Sequence, residues 1–237
     1  MKFLSRCFLV LVIVFSMTLH GIQAMATYDG GFHITAHTEE ELSTILRNLD
    51  AEILSEEPRK QRIKAFSLSE IGMFAVVVED YIYRTICVYD QEGSFQYGYR
   101  IKADGEVGVE FCGEELFIYH TRSDILYSLD KKARVRELWN VEPTRENYNY
   151  AHFNPLGIFS EKKKIGSETY KLTNNSFLDK VAASFSKLIV TDASGNQRIV
   201  YDAGSAAPEM IHNAIGILIP VVGAIFGLVV LFGRRRK

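Results

Sequence analysis

Short segments with apolar residues at alternate positions fill the middle of the chain, from about residue 63 to residue 139. They are rich in β-branched and aromatic residues, which favour strands. Polar connections of a few residues separate them, and a parallel pair would need a long crossover, so neighbouring strands are predicted to pair antiparallel. The segments cover residues 73–78, 85–89, 95–101, 107–111, 116–120, 124–129 and 135–139. The pattern therefore predicts a mainly β fold.

A helical period precedes these strands. Thr38 and Glu41 have the spacing of a capping box, in which each side chain bonds the backbone of the other residue. Five apolar residues then recur at helical spacing, which predicts an amphipathic helix over residues 38–54: Leu42, Ile45, Leu46, Leu49 and Ile53. Packing of this stripe on the sheet is the favoured interpretation, and docking on a partner protein is the alternative. A short strand is predicted just before the helix, at residues 32–35.

The segment from residue 140 to residue 187 has a weaker pattern. Its Asn- and Tyr-rich part, together with Asn154 and Pro155, predicts a loop, and the aromatic side chains of Tyr148, Tyr150 and Phe153 are candidates for contacting a ligand. A further strand is predicted at residues 169–173. A short helix is predicted between residues 174 and 187.

A repeated turn pattern divides the β region. Asp90, Asp130 and Asp192 each follow an apolar strand and precede a second one, and Gly93 and Gly195 lie three residues after the first and last of them. Aspartate can bond turn amides, and glycine can adopt the positive φ that closes a hairpin. The intervals are 130 − 90 = 40 and 192 − 130 = 62 residues. The first matches one propeller blade, and the second fits a blade with an insertion.

The same region resembles a known repeat family. Residues 88–99 read VYDQEGSFQYGY, residues 109–111 read VEF and residues 118–123 read IYHTRS. These motifs resemble the repeats of NHL-type β-propellers, and more closely those of uncharacterised membrane-anchored proteins of Gram-positive bacteria. The resemblance covers about a third of the chain, and it implies a fold rather than an activity.

The number of repeats limits how a propeller could form. Known propellers close with four or more blades, whereas this sequence provides about two and a half to three. Two arrangements follow: open sheets whose edges are covered by the helix and the Asn/Tyr-rich insertion, or closure by a second chain. We favour the open single chain, because no segment of the β region suggests a dimer contact of the required size.

Both ends of the chain predict attachment to a membrane. Lys2 and Arg6 precede an apolar run, and a small-residue site of the A-x-A type ends at Ala26, so residues 1–26 are predicted to be a signal peptide, with an uncleaved anchor as the alternative. A small-residue linker at 202–210 leads to an apolar segment at 211–233, long enough to span a bilayer as one helix. The basic tail at 234–237 predicts a cytoplasmic C-terminus.

This topology places residues 27–213 outside the cell membrane. They divide into a strand and helix at 27–62 and a β-repeat region at 63–201. Within the predicted span, Gly223 and Gly227 form a G-x-x-x-G step, which suggests a weak homodimer through the membrane helix.

The charge is concentrated outside the two ends. All 29 Asp and Glu lie within residues 27–213, together with 27 − 6 = 21 of the Lys and Arg, which gives this part a net charge of 21 − 29 = −8. Such a charge disfavours nucleic-acid binding, which requires basic surface. The part contains two cysteines, Cys87 and Cys112. A disulfide between them and burial of both as small apolar residues are the two alternatives.

The sequence contains no catalytic, metal-binding or cofactor-binding motif that we can identify, so no catalytic residue and no cofactor are predicted. A display architecture without such a motif favours a binding module for a protein, a peptide or another component of the cell envelope. The alternative is a surface hydrolase acting on glycans or peptides, since a pair of catalytic carboxylates needs no local motif.

Overall fold

The computed structural model of the protein describes residues 28–80, 82–174 and 184–204. These residues form three antiparallel sheets and two helices, so the prediction of a mainly β fold is confirmed. The helices are α1, Glu39–Asn48, and α2, Arg145–Phe153.

Each sheet contains four strands that follow one another in the chain and pair with their neighbours. In sheet 1 these are β3 (Ile63–Leu68), β4 (Phe74–Asp80), β5 (Tyr83–Tyr89) and β6 (Phe95–Lys102). In sheet 2 they are β7 (Val107–Cys112), β8 (Glu115–His120), β9 (Ile125–Leu129) and β10 (Val135–Val141). In sheet 3 they are β11 (Lys162–Ile165), β12 (Glu168–Thr173), β13 (Lys187–Thr191) and β14 (Gln197–Asp202).

The N-terminal segment adds one strand to each of the first two sheets. Strand β1, Ile34–Thr35, pairs with β10, and strand β2, Ala51–Leu54, pairs with β6. Both additions cover edges that would otherwise present unpaired backbone groups. The segment before β3 therefore contributes one strand to sheet 1 and one to sheet 2.

Helix α1 is shorter than predicted. The capping box at Thr38 and Glu41 is present, but the helix ends at Asn48, and the residues predicted as its last turn form β2. The helical spacing of Ile53 is therefore misleading, because this residue pairs with Tyr99 of β6. Pairing along a free sheet edge outweighs the local helical period here. Ile45 and Leu49 still pack on the core of the sheets, as the predicted stripe requires.

Sheet 1 packs between the other two sheets. One of its faces, which includes Val77 and Ile86, shares a core with Val109 and Ile118 of sheet 2. Its other face, which includes Phe74 and Tyr89, shares a core with sheet 3. The first strands of the three sheets are close together, since β3 of sheet 1 packs against both β7 of sheet 2 and β11 of sheet 3.

The outward face of sheet 2 is covered by other parts of the chain. Phe117 and Leu126 of this face pack against Tyr28 and Phe32 from the N-terminal segment and Ile158 from the segment after α2. The N-terminal segment and the insertion between sheets 2 and 3 therefore bury this face of sheet 2 together.

Several predicted segments lie outside the described residues. These are the signal peptide at 1–26, most of the linker, the membrane span at 211–233 and most of the short helix expected between residues 174 and 187. Within the described ranges, neither helix has the length and apolar surface needed to cross a membrane.

Candidate functional site

Helix α2 carries the aromatic residues that the sequence suggests as ligand contacts. The prediction of a loop here is wrong, because residues 145–153 are helical. Thr144 caps the helix by accepting a hydrogen bond from the Asn147 amide at 3.1 Å, and the helix ends at Phe153, followed by the extended Asn154 that precedes Pro155. A residue before proline avoids the helical conformation, which explains the end of the helix.

The helical period separates the three aromatic side chains. Tyr150 points inward, where its ring lies 5.1 Å from that of Phe32 and its hydroxyl donates a short hydrogen bond to Glu110. Tyr148 and Phe153 point outward and are 57% and 72% exposed. Two of the three candidate residues are therefore available to a ligand, and Tyr150 has a structural position.

The rings of Tyr148, His152 and Phe153 lie together on α2, and with the exposed Leu156, which follows three residues after the helix, we call them the aromatic face. The Tyr148 ring lies 4.6 Å from that of His152 and 5.8 Å from that of Phe153. Leu156 is 65% exposed. Behind them, His152 stacks on Phe159 at 5.1 Å. The face is therefore apolar, open to solvent and supported from behind.

A cleft of about 240 Å³ adjoins the aromatic face and shares Tyr148 and His152 with it. Asp124 and Glu142 give the cleft two carboxylates. Asp124 accepts a hydrogen bond from the Tyr119 hydroxyl at 3.0 Å, whereas Glu142 has no ion-pair partner within the described part of the chain. The cleft is thus an acidic recess beside an apolar surface.

Asn147 fixes the wall of this cleft. Its side-chain amide donates to the carbonyl oxygens of His33 and Glu142, both at 2.8 Å, and its Oδ1 accepts from the His33 amide at 2.7 Å. The buried asparagine therefore ties α2 to the N-terminal segment and to the end of β10. No local sequence signal indicates the tie to the N-terminal segment, because His33 lies 114 residues before Asn147.

A second polar cluster lies where the first strands of the three sheets, β3, β7 and β11, come together. Glu110 of β7 accepts hydrogen bonds from the hydroxyls of Tyr28, at 2.6 Å, and Tyr150. Lys163 of β11 is also buried, and its Nζ lies 5.5 Å from the ring centre of Phe66 of β3. Burial lowers the pKa of Lys163 to about 8, although the Glu110 carboxylate opposes this shift. The cluster joins all three sheets to the N-terminal segment and α2.

Cys87 and Cys112 are both free thiols, so the structure has no disulfide between them; Cys87 is buried as the second alternative predicts, whereas Cys112 is only partly buried. Cys87 is buried in the core between sheets 1 and 3. Burial raises its pKa to about 12, and burial also raises the pKa of Cys112. Neither thiol is activated as a nucleophile by its surroundings.

Asp90, Asp130 and Asp192 occupy the same place in the three sheets, in the turn between the third and fourth strands of each meander. In every case Oδ1 accepts hydrogen bonds from the amides two and four residues further on, over distances of 2.8–3.1 Å. The residue three positions after the aspartate has positive φ, and it is Gly93, Ala133 or Gly195. These residues thus stabilise turns.

Gly223 and Gly227 lie outside the described residues, so the predicted dimer contact in the membrane stays a prediction. Among the residues that the structure describes, no three metal-binding side chains are grouped together. A comparison with known protein families finds no family model that matches the chain, and a comparison with curated proteins finds no match either.

Proposed function

We propose that the protein is a membrane-anchored, extracytoplasmic binding module that uses the aromatic face and the adjoining acidic cleft. The observation that carries the proposal is this pairing of an exposed apolar surface with an unneutralised carboxylate. Exposed aromatic residues that a fold does not use internally are typical of interaction surfaces. The anchor is supported by the apolar segment at 211–233 and the basic residues that follow it.

We further propose that the three meanders are blades of an open, propeller-like arrangement. Supporting observations are the shared turn chemistry and the contacts of β3 with β7 and β11. The sequence between sheets 2 and 3 would then replace a missing neighbour of sheet 2, and α2 would be the part of this insertion that meets the ligand. The role of the repeats is to hold α2 in a fixed position.

The chemistry of the surface favours a polypeptide ligand with apolar and basic side chains. Tyr148, Phe153 and Leu156 can contact apolar groups, whereas Asp124 and Glu142 favour a cation in the cleft. The net charge of −8 over residues 27–213 would also attract a basic partner at long range. A basic residue close to a leucine or phenylalanine would satisfy both parts of the surface.

Binding to two short synthetic peptides tests the proposal. Both contain leucine and phenylalanine. They differ only at their charged positions, where one peptide carries lysine and the other carries glutamate. We expect the full-length protein to bind the lysine peptide at least tenfold more tightly in fluorescence anisotropy. The double variant Tyr148→Ser, Phe153→Ser should lose this binding, and Asp124→Asn, Glu142→Gln should reduce the preference for lysine.

A matched control replaces two exposed isoleucines outside the aromatic face. Ile71 and Ile199 are 59% and 53% exposed, so Ile71→Ser, Ile199→Ser removes apolar surface of a comparable kind and should leave binding unchanged. If Ile71→Ser, Ile199→Ser lost as much peptide binding as Tyr148→Ser, Phe153→Ser, the assignment of the site would be refuted. Turnover of glycan or peptide substrates by the wild-type protein would instead favour a surface hydrolase.

A further inference from the structure

A groove of about 380 Å³ lies between sheets 1 and 2, on a part of the surface that α2 does not contribute to. Its apolar lining includes Tyr97 of β6, Leu116 of β8 and Leu129 of β9. Leu116 and Leu129 belong to the core that the two sheets share, so the groove is bounded by packed strands. The site is therefore held by sheet structure rather than by a loop alone.

The two tyrosines of the groove differ in their hydrogen bonds. The Tyr99 hydroxyl contacts the carbonyl oxygens of Leu129 and Asp130, each at 3.2 Å. Tyr97 packs edge to face on Tyr99, with ring centres 5.6 Å apart, and its own hydroxyl has no protein partner within the described residues. Burial raises the pKa of Tyr97, so this hydroxyl stays protonated at neutral pH and can donate a hydrogen bond.

The rim of the groove carries four cations and three carboxylates. Two of the cations are neutralised within the protein, since Arg134 pairs with Asp130 at 2.7 Å and Arg136 lies 3.5 Å from Glu115. Glu115 also accepts a hydrogen bond from Ser128 at 2.7 Å. The carboxylates of Asp130 and Glu115 are therefore already paired within the protein.

Lys131 and Lys132 are the remaining cations of the rim. Both are exposed, and neither forms an ion pair within the described ranges, whereas Glu114 is the single acid of the rim without a partner. An excess of one positive charge is thus left over an apolar floor that offers a free hydroxyl donor. This arrangement complements an anion that is attached to an apolar group.

We propose that the groove binds a small carboxylate ligand, with the ligand's ring or apolar body on Tyr97 and its carboxylate between Lys131 and Lys132. A sugar acid and a terminal amino acid with an aromatic side chain share this chemistry. The site is separate from the aromatic face of α2, and it selects the opposite charge.

Two pairs of probes test the inference and distinguish the sources. Glucuronate is compared with glucose, and N-acetylphenylalanine is compared with its neutral amide, by titration calorimetry on the full-length protein. We expect either glucuronate or N-acetylphenylalanine to bind saturably, and at least tenfold more tightly than its neutral counterpart. Equal affinities within both pairs, or no saturable binding of any probe, would overturn the proposal.

Substitutions locate the binding. The variant Lys131→Gln, Lys132→Gln changes only exposed side chains and should lower the affinity for the charged probe at least fivefold. Tyr97→Leu should also lower this affinity while it keeps the apolar packing. The control Lys102→Gln, Lys171→Gln removes two exposed lysines elsewhere and should have no effect. Equal weakening by the control would show that net charge, and not the groove, attracts the probe.

Discussion

At the scale of single residues, the turns that close each meander use one aspartate and one residue with positive φ. The second of the three turns departs from the pattern, because Ala133 has a φ of 58° where the other two have glycine. A side chain in this left-handed region costs about 1 kcal/mol. Glycine therefore fits this turn better than the natural residue does.

Substitutions at the equivalent positions should change stability in opposite directions. Ala133→Gly should raise the free energy of unfolding by about 0.5–1 kcal/mol, because it removes the strain of the positive φ. Gly93→Ala should lower it more than Gly195→Ala does, since a Cβ at Gly93 would lie 2.7 Å from the carbonyl oxygen of Val200 and one at Gly195 has open space. Urea unfolding measures all three, and equal losses at Gly93 and Gly195 would contradict the contact with sheet 3.

His120, at the end of β8, makes stability depend on pH. Its ring lies 3.0 Å from the Tyr127 hydroxyl, and burial, together with the nearby Arg84, lowers its pKa to about 4. The unfolded chain binds a proton near pH 6.5, whereas the folded protein binds it only near pH 4. Between these values the unfolded state holds more protons, so stability must fall as the pH is lowered.

The expected loss from His120 is about 3 kcal/mol at most over this pH window. Urea unfolding at pH 7, 5.5 and 4.5 measures it, with His120→Gln as the comparison because glutamine does not titrate. The difference in stability between wild type and variant should shift in favour of the variant as the pH falls. A constant difference across the three pH values would contradict the pKa assignment.

At the scale of elements, α1 shows what a local signal can specify. Its N-terminus follows from Thr38, whose Oγ1 accepts from the Glu41 amide at 3.3 Å, while Glu41 accepts from the Thr38 amide at 2.9 Å. Its C-terminus does not follow from the apolar spacing, because the next residues join a sheet whose partner strand lies about fifty residues away. Tertiary pairing therefore decides where this helix ends.

Removal of the cap should loosen α1 without changing the sheets. Thr38→Ala should destabilise the helix by about 1 kcal/mol, the usual cost of losing a threonine cap. Faster amide hydrogen exchange in residues 39–48, with unchanged exchange in the strands of sheet 1, would measure this effect. Thr44→Ala, in the middle of the same helix, is the control, and a loss of similar size there would show that capping is not the cause.

At the scale of the whole molecule, Glu110 joins parts of the chain that are far apart in sequence. It accepts from Tyr28, which lies 82 residues earlier, and from Tyr150, which lies 40 residues later. A buried carboxylate that loses one hydroxyl donor keeps the other, whereas Glu110 without both donors has only the charge of Lys163 to compensate its burial. The two tyrosines should therefore act together.

A double-mutant cycle tests this coupling. Tyr28→Phe and Tyr150→Phe should each lower the free energy of unfolding by about 1–3 kcal/mol, and the double variant should lose more than the sum by at least 0.5 kcal/mol. Tyr148→Phe, which alters an exposed hydroxyl, should have little effect. Additive losses of the two inward-facing tyrosines would show that Glu110 does not connect them.

Part of the fold follows from local pattern alone. Every one of the seven strands predicted between residues 73 and 139 is present, since alternation and short polar connections leave few other arrangements. Strand β11 has no such signal, because three of its four residues are lysines. One of these, Lys163, is buried, which the sequence of the strand gives no reason to expect.

The candidate site is predictable to a smaller extent. Tyr148 and Phe153 are exposed and stay available as the predicted ligand contacts, but the sequence does not predict the helix that presents them, because asparagine and tyrosine are weak helix formers. The acidic cleft combines side chains of β10, α2 and the β8–β9 connection. Its two carboxylates, Asp124 and Glu142, are 142 − 124 = 18 residues apart, and no spacing in the sequence links them.

The sequence by itself determined the antiparallel β character, the cap of α1 and the three aspartate turns, because each depends on residues within a few positions of one another. It also predicted the membrane segments from length and charge. Only the tertiary structure decided that β1 and β2 complete the sheets, that Tyr150 faces Glu110, and that the two cysteines are free. These features depend on contacts between distant segments, and the energy of such contacts overrides local preference once the chain is folded.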